Sequence, residues 1–370
     1  MTKAITHNKP KSRNMNICFG LNNKYRMKTQ LICLTVILIA SVVSCKEQGQ
    51  VDQPKNNPDP VGTQLPGVIS PFGKVDTIFT TNAPSRITRK IRKDKDGNLL
   101  IAAWDEVILY DGESFSNIPK MEGFESFEAF DALQDSKGNI WIASRQHGLF
   151  RYDGKNFMHF TTENGLANNS TMDIHEDKAG NIWIATMGGA SYYDGKSFRN
   201  FTTKEGLTHD DVSTIMEDNT GKIWLGTRGT VNVYDPLTST FTEITNNIDR
   251  PFTNVWSIIE DEEYNIWIGG EEGLWRYNDG SFTNFTTERV NSVYEDTKGN
   301  IWTTSPQGAL NRYDKKGLQG ENPSPTTIFQ SNSMFFRVTE DIEGNMWVGT
   351  LKGIFRYDGS SIHYFRDKSE

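Results

Sequence analysis

Beyond residue 44, five histidines and two pairs of adjacent acids are the side chains best suited to bond-breaking chemistry. His147, His159, His175, His209 and His363 follow no H-x-x-x-H or related metal-ligand spacing. Asp210-Asp211 and Glu271-Glu272 offer the carboxylates of glycosidic cleavage, but that reaction places its two acids across a bond, and adjacent acids on an acidic surface are usually just solvated. Asp94-Lys-Asp96-Gly97-Asn98 has the alternating oxygens of a calcium loop; the copies at Asp135, Asp177, Asp218 and Asp296 keep the glycine without the second acid, so it reads as a turn. Cys18, Cys33 and Cys45 leave nothing downstream for a nucleophile, a disulfide or a thiolate site. Phosphate-cradling loops, nucleophile elbows and dinucleotide fingerprints are also missing. The reading is a non-enzyme with no catalytic residue, no metal and no cofactor.

Binding chemistry is better represented. Trp104, Phe130, Arg145, His147, Arg228, Trp256, Glu271, Gln307, Phe336 and Lys352 combine rings that stack on sugar faces with groups that fix hydroxyls or carboxylates. They are scattered along the chain, so their common property must come from the elements that carry them.

Those elements are copies of one phrase. An aspartate, a Gly-Asn turn and a hydrophobic strand precede Trp141, Trp183, Trp224, Trp267, Trp302 and Trp347, and a weaker first copy has Leu100 in the tryptophan place. The turn glycine falls at 97, 138, 180, 221, 299 and 344, with Tyr264 in the fifth copy, a period of 35 to 45 residues. That is the range of four-stranded propeller blades. Met172–Glu176, Asn181–Thr186, Ala190–Tyr193 and Ser197–Phe201 read as one such meander, with Asp-x-x-Gly-Asn and Tyr-Asp-Gly supplying its turns. The expected fold is all-β, a seven-bladed β-propeller of four-stranded antiparallel blades over residues 76–367, with the tryptophans as core between blades. Asp76–Thr81 and Ser361–Phe365 both resemble a fourth strand, and one of them is expected to complete the last blade.

The turns between strands one and two, and three and four, are nearly uniform among copies. The connections on the opposite face vary: Trp104-Asp105-Glu106, Arg145-Gln146-His147-Gly148, Met187-Gly188-Gly189, Arg228-Gly229, Glu271-Glu272-Gly273, Pro306-Gln307-Gly308 and Leu351-Lys352-Gly353. Loops free of the scaffold's demands are where binding residues sit. Residues leading into each inner strand reach the same face near the channel: Arg89, Phe130, Met172, Ser213, Trp256, Asn291 and Phe336. Together they describe either a mouth for a neutral or anionic saccharide or a solvated rim closed by aromatics.

Residues 1–44 hold seven Lys or Arg, no acid, and the apolar run Leu31–Val43, which is too short to cross a bilayer. This is a signal-peptide pattern, and Met27 would start one of ordinary length, making residues 1–26 an upstream start-site artefact. Val42-Val43-Ser44-Cys45 resembles a bacterial lipobox, so Cys45 is the expected lipidation site and the chain's attachment to the membrane. Residues 45–75 form the lipidated cysteine and a tether rich in Asn, Pro, Gln, Asp and Gly. Lys46 after the cysteine favours the outer membrane, facing either the periplasm or the exterior. Without residues 1–44 the net charge is about −15, which argues against nucleic acid as a partner.

The phrase, as in Ile215-Met-Glu-Asp218-Asn-Thr-Gly221-Lys-Ile-Trp224-Leu-Gly226-Thr227 and Glu340-Asp341-Ile-Glu-Gly344-Asn-Met-Trp347-Val-Gly349-Thr350, closely resembles the two-component regulator propeller repeat, over residues 76–367. The resemblance implies the extracytoplasmic sensor region of hybrid regulators that detect polysaccharide fragments. The repeat consists of structural residues and carries over no ligand contact. The family's long sensors usually have two propellers, then an immunoglobulin-like domain, membrane span, kinase and receiver, whereas this chain has one seven-repeat set. The expected role is ligand binding, with an oligosaccharide or an envelope protein as partner and without its own kinase. The alternatives are a propeller lyase, similar in its blades but with channel histidine and metal-binding acids not matched here, and a structural scaffold in the cell envelope.

Overall fold

The computed structural model describes residues 74–246, 252–320 and 323–368. The signal segment, Cys45 and residues 46–73 of the expected tether lie outside the described residues, and its last residue, Val75, begins a strand. Seven antiparallel sheets follow one another along the chain, each laid down in sequence order from the channel outwards. Blades 1 to 7 occupy residues 88–117, 129–160, 171–201, 212–244, 255–286, 292–330 and 335–367. The innermost strands, among them Thr88–Lys93, Ala129–Gln134, Thr171–Glu176 and Phe335–Glu340, pack against one another around a central channel. The expected seven-bladed β-propeller is the observed fold.

The repeated aspartate does more than close its turn. In blade 2, Asp135 Oδ1 accepts the Lys137 and Asn139 amides at 3.0 and 2.7 Å, while Oδ2 accepts Asn139 Nδ2 at 2.7 Å and Trp141 Nε1 at 2.8 Å. The indole bond recurs at Trp183, Trp224, Trp267, Trp302 and Trp347, at 2.7 to 3.2 Å. One carboxylate thus satisfies the turn and the only polar atom of a buried ring. The turn needs a left-handed residue; Gly138 has φ 86°, and Tyr264 adopts φ 65° in the same place at a steric cost that glycine avoids.

The tryptophans face the next blade. Trp183 and Phe201 pack with Val212, Ile215, Leu225 and Tyr234 of blade 4, and Trp347 packs with Ile91, Leu99 and Ile101 of blade 1. A second stitch joins neighbours on the uniform face. Glu176, Glu217, Glu260, Glu295 and Glu340, at the far ends of inner strands, accept backbone amides of Ser136, Lys178, Asn219, Glu262 and Thr297 in the preceding blade at 2.6 to 3.1 Å. Gln134 accepts the Lys95 amide at 3.2 Å in the same way. Blade 1 has Lys93 there, which cannot accept.

One of the two segments completes the last blade as expected, and the other adds to it. Ile362–Asp367 is the fourth strand of blade 7, and Val75–Thr80 adds a fifth outside it, parallel, with Val75 opposite Ile362. Val75–Thr80 can join the blade because its outermost antiparallel strand still offers a free edge.

Candidate functional site

The channel mouth is shaped by bulges. In six blades the register between the first two strands slips, at Thr88/Lys90, Ala129/Asp131, Thr171/Asp173, Val212/Thr214, Val255/Ser257 and Phe335/Val338. The residues thrown out of the ladder are Arg89, Phe130, Met172, Ser213, Trp256 and Phe336. A bulge re-aims a side chain where regular pairing would fix it.

Three of these close on each other. The Arg89 guanidinium lies 4.1 Å from the Phe130 ring centre and 5.0 Å from that of Phe336. Burial, helped by the neighbouring Arg145 charge, lowers its pKa to about 10. Arg145 lies over Trp104 at 5.6 Å. Elsewhere on this face Arg289 stacks over Trp256 at 4.9 Å while its Nε and Nη2 donate to Glu271 Oε2 at 2.9 and 2.6 Å. Trp104, Phe130, Arg145, Trp256, Glu271 and Phe336 therefore enter contacts of the expected aromatic, cationic and acidic kind. The remaining candidates stand apart. Arg228 is exposed, 3.9 Å from Asp211; His147 sits edge-on to Phe124 at 5.5 Å; Gln307 and Lys352 are exposed. Arg289, which completes the Trp256 set, was not legible in the sequence, because it lies in the link between blades 5 and 6 rather than in a repeated position.

Below the mouth is a charged layer. Arg92 Nε and Nη2 donate to Asp131 at 2.8 and 2.6 Å, and Nη2 also donates to Asp173 at 2.8 Å. Lys90 donates to Asp131 at 3.2 Å and to Asp173. Burial lowers the Lys90 pKa to about 8, with Asp131 and Asp173 working against the shift. Asp173 is held far below the usual carboxylate range; burial opposes its charge, but Lys90 and Arg92 outweigh it. His175, pushed down to about 4 by burial and Arg92, accepts the Glu217 amide on Nε2 at 3.2 Å. The missed signal was Thr88-Arg-Lys-Ile-Arg-Lys93, four cations on one inner strand.

A cavity of about 510 Å³ runs from this layer along the channel. Lys90, Arg92, Asp173 and Arg337 bound it at one end, and Lys93, Glu217, Glu260 and Thr339 at the other; Arg89, Phe130 and Phe336 are not part of its lining. A second cavity, about 430 Å³, lies between blades 3 and 4 beside Trp183, Tyr192, Arg199 and Tyr234. It opens where the repeat changes. Arg151, Arg276, Arg312 and Arg356 cover Trp141, Trp267, Trp302 and Trp347 at 5.6 to 5.8 Å, whereas Tyr192 and Val233 pair with Trp183 and Trp224.

Fold and channel define a seven-bladed propeller with charged and polar side chains lining its channel. Residues 165–188, 206–229 and 249–272 match the family described as two component regulator propeller, so three stretches of the chain carry that family's repeat. A search among curated proteins finds no sequence match. Among solved structures, the extracellular domain assigned to the hybrid two component system BT3049 of B. thetaiotaomicron is similar at 21% identity and TM-score 0.62, over 73% of this chain and 39% of that one. Virginiamycin B lyase from Staphylococcus aureus is similar at 14% identity and TM-score 0.59, over 75% and 97%. PorZ of Porphyromonas gingivalis, a surface component of the type-IX secretion system, is similar at 14% identity and TM-score 0.58, over 74% and 46%. The chain thus spans about two fifths of the sensor structure it resembles. At these identities the likeness is one of fold.

Proposed function

We propose that this protein is an exported, lipid-anchored propeller of the sensor type that binds an oligosaccharide on its variable face and acts without its own kinase. Cys45 is the anchor and the outer membrane the location. The observation that carries the binding reading is the set Trp256, Arg289 and Glu271: a half-buried indole under a guanidinium that is itself held by a carboxylate. That set presents a ring face, donors and an acceptor together, which is what a sugar with adjacent hydroxyls needs. The enzyme alternative is weakened because the channel acids Asp131 and Asp173 are spent on Lys90 and Arg92. The scaffold alternative draws support from the propeller fold of PorZ.

The test is a panel of neutral and acidic oligosaccharides on immobilised protein, followed by titration calorimetry. A ligand should appear whose affinity falls at least tenfold in Trp256→Ala and also falls in Arg289→Ala, with melting temperatures unchanged. A silent panel together with a protein partner recovered from envelope extracts would replace this reading with the scaffold.

A further inference from the structure

The charged layer is unbalanced. Its deep cations are Lys90, Arg92 and Arg337, and its carboxylates are Asp131 and Asp173. Both carboxylates are saturated: besides Lys90 and Arg92, Asp131 Oδ2 accepts the Ile174 amide at 2.9 Å and Asp173 Oδ2 the Ile215 amide at 3.0 Å. Arg337 has no carboxylate partner among the described residues. Its Nη1 donates to Ser257 Oγ at 3.1 Å, and its Nη2 faces Thr214 Oγ1 and the Trp256 carbonyl at 3.5 and 3.4 Å. The two Nη2 contacts are long, and Arg337 lines the 510 Å³ cavity. Burial lowers its pKa, with Asp173 opposing the shift and Arg92 adding to it.

A half-buried guanidinium without a counter-ion costs folding free energy that hydroxyl and carbonyl partners return only in part. The one-residue bulge of blade 7 leaves Arg337 at the register that Lys90, Asp131 and Asp173 hold in blades 1 to 3, where side chains meet in the channel. We propose that this end of the channel is an anion site, which takes the carboxylate of a small organic acid on Arg337 and houses the rest of the molecule in the cavity. Three cations against two carboxylates leave one positive charge, which a monoanion neutralises and a phosphate dianion over-fills. The planar fork of Arg337 matches a carboxylate in two parallel hydrogen bonds. Thr214, Tyr294 and Thr339 add polar groups along the wall, and a cavity of about 510 Å³ admits an acid up to the size of a sugar acid. Arg89 is not part of the cavity lining, and Arg337 faces the backbone carbonyl of Trp256 rather than its ring.

Calorimetry and thermal melting with sodium acetate, lactate and glucuronate at constant ionic strength test this, with glucose and inorganic phosphate as comparisons. At least one acid should bind tenfold tighter than glucose and phosphate and raise the melting temperature. Arg337→Met should lose that binding at least tenfold and, without ligand, melt at the same temperature or higher. Arg337→Lys keeps the charge, removes the fork and should also bind at least tenfold weaker, so the result stands even if the methionine variant fails to fold. Trp104→Ala, at the mouth, should bind the acid normally. Silence with all three acids, equal binding of phosphate, binding that survives both Arg337 variants, or an Arg337→Met protein that folds but melts well below the parent would each overturn the proposal. Loss of oligosaccharide binding in Trp256→Ala with acid binding intact separates the two sites.

Discussion

Replacing Asp218 with alanine should cost this fold about 3 kcal/mol, almost all of it through Trp224. The carboxylate accepts from Thr220 N at 2.9 Å, Thr220 Oγ1 at 2.6 Å, Lys222 N at 3.0 Å and Trp224 Nε1 at 2.8 Å. Water can replace it at the accessible turn, but the indole belongs to a side chain only 4% exposed. A hydrogen bond to a charged group contributes ~1.5–3 kcal/mol and an orphaned buried donor costs ~1–3 kcal/mol; because the two describe one broken contact, they do not simply add. In a domain of this size each kcal/mol moves the melting temperature by roughly 2–4 °C, so a fall of about 6–12 °C follows. Acid should erase the difference. Burial opposes the Asp218 charge, but the Thr220 hydroxyl, the Trp224 indole and the turn amides outweigh it, so its pKa is lowered on folding. A carboxyl depressed in the folded state stabilises above the unfolded value and loses that contribution as pH falls through the folded one. The assay is urea and thermal unfolding of Asp218→Ala, Trp224→Phe and the double variant. At pH 7 the double variant should fall short of the summed costs by about 2.5 kcal/mol. Additivity to within about 0.5 kcal/mol would refute the claim that the aspartate acts through the indole.

Lys93→Glu should restore the one missing stitch, with the new carboxylate taking the Ile342 amide, and raise the melting temperature by about 2–4 °C for a gain near 1 kcal/mol; Lys93→Ala, which offers no acceptor, should show no gain. Deleting residues 1–81 removes the parallel strand Val75–Thr80 and bares the edge of Ile362–Asp367. The shortened protein should melt earlier and associate through that edge, read by calorimetry and size-exclusion chromatography; a monomer of unchanged melting temperature would show the fifth strand to be dispensable.

What the sequence revealed follows from distance along the chain. The Asp-x-x-Gly-Asn turn and the Tyr-Asp-Gly hairpin act within a few residues, so their chemistry is local and recurs visibly in each copy. Blade count, strand order and the packing of Trp141 or Trp347 between blades come from that recurrence. The glutamates at 176, 217, 260, 295 and 340 were also visible as a repeat, each directly before the aspartate, but their partners lie about 33 to 43 residues away. A recurring polar residue at a strand end is itself a sign of contact between blades. The channel network could not be found this way. Lys90 and Asp173 are 83 residues apart and Arg337 meets Ser257 across 80, and none of the four belongs to the shared phrase.

Blade 1 departs from the repeat at several positions, and the departures have a pattern that drift alone would not produce. It has Leu100 for the tryptophan and Lys93 for the glutamate, changes that weaken it as a structural unit. On the same inner strand it carries Arg89, Lys90 and Arg92, which supply the Phe130 contact and two of the three deep cations. Blades 2 and 3 answer with Asp131 and Asp173, while blades 4 and 5 present only the hydroxyls of Thr214 and Ser257 at the matching register. The channel therefore has a charged wall and a neutral one, and Arg337 of blade 7 donates toward the neutral side. A ring of identical blades would surround a ligand with seven equal contacts and no orientation. Breaking the repeat at blade 1 gives the channel a direction, and the fifth strand on blade 7 reinforces the ring next to the junction that lacks its stitch.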